Sequence, residues 1–243
     1  MNKVKEWYEN SYKNAGFKAQ RRYPNEELLR FLGVNFFDKD VKDRNNIKVL
    51  EVGCGSCANL WMIAKEGFDA YGLDLSNEAI LLGEQMLNKW KVQANLKQGS
   101  FLNLPYSENS FDVVIDVISM YCVNHEEVLK GLSEVHRVLK DDGLFFSYEA
   151  SQNCSVFNNY LPAKKIDKNT LNGIYRRKSP FFGNDYPFHF WDKNDYKNTL
   201  INVGFNVEYL ETIRKSYFEN KESFEYLTAY AKKCKTKTKN ENS

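Results

Sequence analysis

The chain has 243 residues, of which 27% are charged, and its 34 Lys plus Arg nearly balance 32 Asp plus Glu for a net charge of +2. That length holds one domain, with room for an elaboration, and can bury a core without covalent staples. The balanced charge argues against a nucleic-acid partner, five widely spaced cysteines point to a reducing compartment, and no apolar run is long enough to span a membrane.

Met1 to Glu6 run straight into an amphipathic pattern rather than a secretory leader, so a cytoplasmic protein is expected. Val4, Trp7, Tyr8 and Tyr12 recur at helical spacing. Pro24 at a first helical position and Gly33 just past the end bracket a second helix, with Leu28, Leu29 and Leu32 on one face. A polar stretch, Asp38 to Asn46, leads to a first strand at Lys48–Val52, a helix near 59–65 and a second strand ending at Asp74. Ser76 is a fitting N-cap for a helix reaching Trp90. Strands are expected at 95–98, 111–115 and 144–148, with Val128, Leu132, Val135 and Leu139 lining a helix between the last two. A helix over 192–203 and strands at 205–212 and 224–231 complete the pattern. Strands alternating with helices predict a parallel sheet with right-handed crossovers.

One segment exceeds a plain connection. Residues 151–191 carry Phe157, Tyr160, Phe181, Tyr186, Phe188, Phe190 and Trp191 together with Arg176 and Arg177. They leave the fifth strand at the carboxyl edge, where open α/β sheets bind ligands, and so read as a cap over a substrate. Packing as a satellite aromatic cluster is the competing reading. The basic tail from Lys232 to Lys239 reads as a frayed terminus.

The densest signal is Val49-Leu50-Glu51-Val52-Gly53-Cys54-Gly55, followed by Tyr71-Gly72-Leu73-Asp74. It is a buried strand, a glycine turn, a helix and a second strand ending in a carboxylate, the half-Rossmann pattern for an adenosine-containing ligand. Glycines there let backbone N–H groups approach a ligand where a Cβ would intrude. Gly53-x-Gly55-x-x-Ala58 also satisfies the dinucleotide fingerprint, and Asp74 could accept from both ribose hydroxyls. Glu51 decides between cofactors by sign. A buried carboxylate is costly beside a pyrophosphate but matches an ammonium and a sulfonium, which favours S-adenosylmethionine over NAD. Cys54-x-x-Cys57 lies inside this turn without a second pair or a nearby histidine, so neither zinc nor redox chemistry is expected.

The chain resembles the class I S-adenosylmethionine-dependent methyltransferases over residues 45–233. Val49 to Gly55 resembles that family's first motif and Leu73-Asp74-Leu75-Ser76 its second. Leu104 to Val114 resembles its "LP…FD-V-V" run, and Leu132 to Gly143 its "L-E-x-x-R-V-L-K-P-G-G" helix end. The resemblance implies one methyltransferase domain with a Rossmann-like, seven-stranded, mostly parallel sheet, its last strand antiparallel beside the sixth. Within it, 1–45 would be an N-terminal helical lid, 46–150 the cofactor core, 151–191 the cap inserted after strand five, 192–233 a closing helix and strands, and 234–243 the tail. It further implies that the backbone of Gly53, Cys54 and Gly55, with Glu51, holds the methionine part, that Asp74 and Leu75 hold ribose, and that Ser100 and Phe101 border adenine. Two positions depart from the pattern: Ser100 replaces the usual Asp, and Asp141-Asp142-Gly143 replaces "P-G-G", where only the last residue is expected to need glycine's freedom. Asp116 would sit near the cofactor's amino-acid end, or merely cap a turn.

An oxygen nucleophile needs a base. His125, after the N-cap candidate Asn124, would be kept neutral by the helix's positive end. His189 in the cap and Tyr12 in the lid are further catalytic candidates, while His136 reads as structural. Tyr8, Arg21, Arg22, Arg176, Arg177 and Tyr186 are candidates for substrate binding, and guanidinium groups suit an acidic or phosphorylated substrate. The expected reaction is methylation of a small polar metabolite, foremost a hydroxyl of a sugar or sugar nucleotide in surface-polysaccharide synthesis. An amine such as a phosphorylated amino alcohol is the alternative, and a non-catalytic cofactor-binding regulator the reading of another class. A monomer or homodimer is expected, without metal, nucleic-acid or membrane partners.

Overall fold

The computed structural model describes residues 2–18 and 20–235. Most of the expected tail lies outside the described residues. The first strand, β1 (Lys48–Val52), buries Val49, Leu50 and Val52 completely and stands at the middle of the main sheet. β2 (Asp69–Asp74) and then β3 (Asn95–Gln98) flank it on one side, both parallel. β4 (Phe111–Val117) and β5 (Leu139–Ala150) continue in parallel on the other.

Two short strands intervene in the chain, β6 (Thr170–Leu171) and β7 (Phe188–His189), which pair with each other outside the main sheet. The long hairpin β8 (Phe205–Tyr217) and β9 (Glu222–Lys233) closes the main sheet, with β9 antiparallel between β5 and β8. The resulting order, β3-β2-β1-β4-β5-β9-β8, is the seven-stranded, mostly parallel architecture predicted. Strand order reverses between β1 and β4, so their carboxyl ends part to form a crevice.

Helices cover both faces. Leu28, Phe31 and Leu32 of α2 (Glu26–Phe36), Leu60 and Ile63 of α4 (Leu60–Lys65), and Met86 and Leu87 of α5 (Asn77–Trp90) fill one core layer. The other layer holds Val128, Leu132 and Val135 of α6 (His125–Val138) with Tyr196 and Leu200 of α8 (Lys193–Val203). Such layers, rather than propensity, supply most of the stability of helices this short. The amino-terminal helix α1 (Asn2–Ala15) lies across the crevice edge against α5.

Caps are where the sequence placed them, with one exception. Ser76 Oγ accepts from Ala79 N–H, and Asn124 and Glu127 form a reciprocal capping box on α6. α2 starts differently. Asn25 is its N-cap, accepting from the N–H groups of Glu27 and Leu28, so Pro24 stays outside the helix. Gly33 does not end α2 but lies within it, since burying Phe36 with Phe31 extends the apolar stripe one more turn. The polar stretch holds a single helical turn, α3 (Val41–Arg44), fastened by Arg44 to Glu66 at 2.8 Å. In the Asp141-Asp142-Gly143 turn the left-handed residue is Asp142, at φ 60°. Gly143 is required for space instead, because a Cβ there would come within 2.8 Å of the Lys140 carbonyl.

The 151–191 segment is largely built into the two main core layers. After α7 (Ser155–Asn158) it folds back through β6 and β7, and Phe157, Phe188, Phe190 and Trp191 are buried. Phe188 and Phe190 pack on Phe224 of β9. Only its 181–186 stretch reaches the crevice, through Phe181, Asn184 and Tyr186.

Candidate functional site

The carboxyl ends of β1, β2 and β4 open into a cavity with two lobes, roofed by α1. One lobe is bordered by Leu73, Asp74, Leu75, Ser100, Phe101 and Ser119. The other carries Glu51, Gly53, Gly55 and Asn59 together with Tyr121, Tyr186 and Tyr226. Tyr8, Tyr12, Gly53 and Ile118 border both lobes and therefore mark their junction.

The glycine turn is shaped for close approach. Gly53 and Gly55 have φ of 66° and 51°, the left-handed region that glycine enters freely. A Cβ on Gly53 would lie 2.2 Å from the Ser119 Cβ, and one on Gly55 would lie 2.9 Å from the Tyr12 hydroxyl. Ile118 also has a positive φ, 55°. A β-branched residue there is strained, and such strain concentrates where a site over-determines the backbone.

Glu51, at the end of β1, is 2% exposed. Its Oε1 accepts from Asn59 Nδ2, while Oε2 is buried without a hydrogen-bond partner. Burial pushes its carboxyl up to about 8, against the Asn59 hydrogen bond and the Arg21 charge, which pull it down. An unpaired buried carboxyl oxygen on a cavity wall calls for a cationic or donor partner. An ammonium group meets that need and a pyrophosphate does not. Asn59, absent from the sequence reading, also accepts from Asn25 N–H at 2.9 Å and so joins the acid to the start of α2.

Asp74, at the end of β2, accepts from Gly55 N–H at 2.8 Å through Oδ2 and from Ser76 N–H at 2.9 Å through Oδ1. Burial raises it to about 6 despite those donors. Each oxygen keeps a lone pair, as a carboxylate facing two ribose hydroxyls requires. Leu75, Ser100 and Phe101 border the same lobe. The residues of the glycine turn, Asp74 and this apolar border thus fit an adenosyl group joined to an amino acid.

Asp116 does not reach the cavity. It is fully buried, and its Oδ1 accepts from the Ser119 and Met120 N–H groups and the Ser119 hydroxyl, so the turn-capping alternative describes it. The cavity wall from this strand end is instead made by Ile118 and Ser119, which the sequence reading passed over.

The three catalytic candidates separate. Tyr12 lies at the lobe junction. His125 and His189 come together elsewhere: their rings stack at 5.2 Å, with His125 Nδ1 3.0 Å from His189 Nε2 and from Asn169 Nδ2. His125 borders a shallow groove with Asp167 and Asp195, outside both lobes. His189 is fully buried, which pushes its imidazole down to about 3. This pair braces β7 against the start of α6. His136 is structural as read, with its ring against Gly204 and Phe205.

Among the substrate-binding candidates, Tyr8 and Tyr186 border the second lobe and share a hydrogen bond of 2.8 Å. Arg21 stands at that lobe's rim. Arg22 turns away: it is exposed and its carbonyl accepts from Trp61 Nε1. Arg176 is bound to the buried carboxylate of Glu222, and Arg177 is exposed outside both lobes. A cap arginine pair reaching into the site is therefore corrected to Arg21 alone. Tyr121 and Asn184 complete this lobe and Cys122 lines the other; none was anticipated, since none belongs to a motif.

The fold and site together fit a nucleoside-binding α/β protein whose buried acid suits a cationic ligand. Residues 49–143 match the model of a methyltransferase domain family. An uncharacterized protein of Methanocaldococcus jannaschii is 30% identical over 72% of this chain, which spans 59% of that relative's length. The demethylmenaquinone methyltransferase of Alkalihalophilus pseudofirmus is 27% identical, over 74% of this chain and 75% of its own. A Burkholderia thailandensis 1,6-didemethyltoxoflavin N1-methyltransferase, solved with 1,6-didemethyltoxoflavin and S-adenosylhomocysteine, shares the fold at a TM-score of 0.68. It is 14% identical, over 96% of this chain and 88% of that one. Residues 49–143 thus carry a methyltransferase domain match, and the fold is that of S-adenosylmethionine-dependent methyltransferases.

Proposed function

We propose that the protein transfers a methyl group from S-adenosylmethionine to a small molecule seated in the tyrosine-lined lobe. The observation that carries this reading is the unpartnered Oε2 of Glu51, on the wall of a lobe shared with that tyrosine cluster. The bound cofactor supplies an electrophilic methyl on a sulfonium. The protein's own part is to hold, orient and exclude water, the main contributions to a single displacement. Glu51 and the glycine-turn N–H groups would fix the amino-acid end, Asp74 the ribose, and Phe101 with Leu75 the adenine border. Tyr8 and Tyr12, on α1, would shield the junction where the two ligands meet.

A sugar hydroxyl is the acceptor that needs the strongest base. The two histidines considered for that role lie outside the lobes, which favours an acceptor whose nucleophile ionises readily. No helix among the described residues is long and apolar enough to cross a membrane. The test is incubation with methyl-labelled cofactor and pooled small metabolites, beside calorimetric titration of S-adenosylhomocysteine. Binding with label passing to a small molecule is expected. Binding without transfer to any pool would favour a regulator, and no binding would overturn the reading.

A further inference from the structure

The acceptor end of the second lobe is built around three phenol hydroxyls. Tyr8 Oη lies 2.8 Å from Tyr186 Oη and 3.2 Å from Tyr121 Oη, and the last two are 3.5 Å apart. They come from α1, the turn after β4 and the 181–186 stretch, so the tertiary fold alone assembles them. The Asn184 amide donates to Tyr186 Oη at 2.7 Å. An amide N–H can only donate, so Tyr186 Oη accepts there and keeps its own proton to give, as do Tyr8 and Tyr121. Tyr8 Oη also lies 3.5 Å from Cys122 Sγ. Hydroxyls in mutual contact polarise one another, which strengthens a proton that the cluster offers to a ligand.

The surroundings are aromatic and uncharged. Trp7 stands edge-on to Tyr8 and Tyr186 at 5.0 and 5.3 Å, and Phe181 packs on Tyr121 at 5.8 Å. Burial holds all three phenols well above their ordinary range, so they keep their protons and act as donors. Such a chamber suits an oxygen that only accepts.

We infer that the Tyr8–Tyr121–Tyr186 hydroxyl cluster recognises a planar, ring-shaped methyl acceptor through a carbonyl or phenolate oxygen. This rests on the methyltransferase reading. Hydrogen bonds from the cluster stabilise negative charge on that oxygen, as preorganised donors do at an oxyanion. They thereby favour the ionised, nucleophilic form of the ring, and the Arg21 rim carries the matching charge.

The full chain, saturated with S-adenosylhomocysteine, is titrated with 4-nitrophenol and, separately, nitrobenzene. Nitrophenol is expected to bind at least about tenfold tighter, the worth of one strong hydrogen bond. Its bound absorbance should show the phenolate at a pH where free nitrophenol is still protonated. Tyr121→Phe should weaken nitrophenol about tenfold and return its bound ionisation toward the free value, leaving S-adenosylhomocysteine affinity within about twofold. Tyr186→Phe, which removes another hydroxyl of the cluster, should act in the same direction and serves if Tyr121→Phe folds poorly. Equal binding of the two probes, or an unshifted bound ionisation in both variants, would overturn the inference. Failure of S-adenosylhomocysteine to bind would instead overturn the reading beneath it.

Discussion

Glu51 concentrates the physics of the site in one side chain. Its carboxyl, raised to about 8 by burial, is mostly protonated in the free protein at neutral pH. A cationic partner at Oε2 favours the ionised form, so cofactor binding should expel a proton. The sign follows: affinity rises with pH up to about 8, close to tenfold per unit, and flattens above it. Titration at pH 7 in buffers of differing ionisation enthalpy should report the release of nearly one proton per cofactor. Glu51→Gln should abolish that release and weaken binding by about tenfold or more, the worth of a charge-assisted hydrogen bond. Buffer-independent heats would remove Glu51 from the ammonium site. Of the site, this acid, the glycines and Asp74 were legible because a local strand–turn–helix geometry places them, and their spacing survives in the sequence. Asn59, Ile118 and Tyr121 were not, since their roles arise from which loops the sheet brings together. His125 misled for the same reason: its helix start was read correctly, but its direction depends on β7 and Asn169.

At the scale of elements, α1 is the piece that closes the site. Its Glu9 carboxylate accepts from the N–H groups of Asn77 and Glu78, at 2.8 and 3.1 Å, and so caps α5 from outside that helix. Burial works to raise the Glu9 carboxyl, yet these two donors outweigh it and hold it below its ordinary value. The latch therefore persists at neutral pH and weakens only as pH falls through that depressed value. Tyr8 and Tyr12 ride on the same helix, so releasing Glu9 should loosen the cavity roof without touching the sheet. Glu9→Gln should speed S-adenosylhomocysteine release about fivefold, from a cap worth about 1 kcal/mol. A chase of prebound labelled ligand measures it, and an unchanged release rate would mean that α1 is not the gate. The strands and long helices of the core were legible from periodicity and caps. The 151–191 segment was legible only as an excess of aromatics, because its fold is set by Phe224 and Trp191 rather than by any local period.

For the whole molecule, the cavity is a convergence of segments distant in sequence. α1 supplies Tyr8 and Tyr12, the ends of β1, β2 and β4 supply the acids and the glycine turn, the 181–186 stretch supplies Phe181 and Tyr186, and β9 supplies Tyr226. A ligand bound there gains contacts that exist only when all of these are docked, so its binding energy adds to the stability of the assembled fold. At a hundred times its dissociation constant, S-adenosylhomocysteine should stabilise the protein by about 2.7 kcal/mol, which raises the melting temperature by roughly 5–10 °C at this chain length. Glu51→Gln, at a roughly tenfold weaker affinity, should lose about half of that shift at the same ligand concentration while its ligand-free melting temperature stays close to the parent's. Hydrogen exchange distinguishes convergence from local binding. Protection should rise together in α1, in residues 117–123 and in residues 181–186, although these segments share no secondary structure. Protection confined to residues 51–59 would show that the roof and the acceptor lobe are built independently of the cofactor, and the lobes would then have to be treated as separate sites.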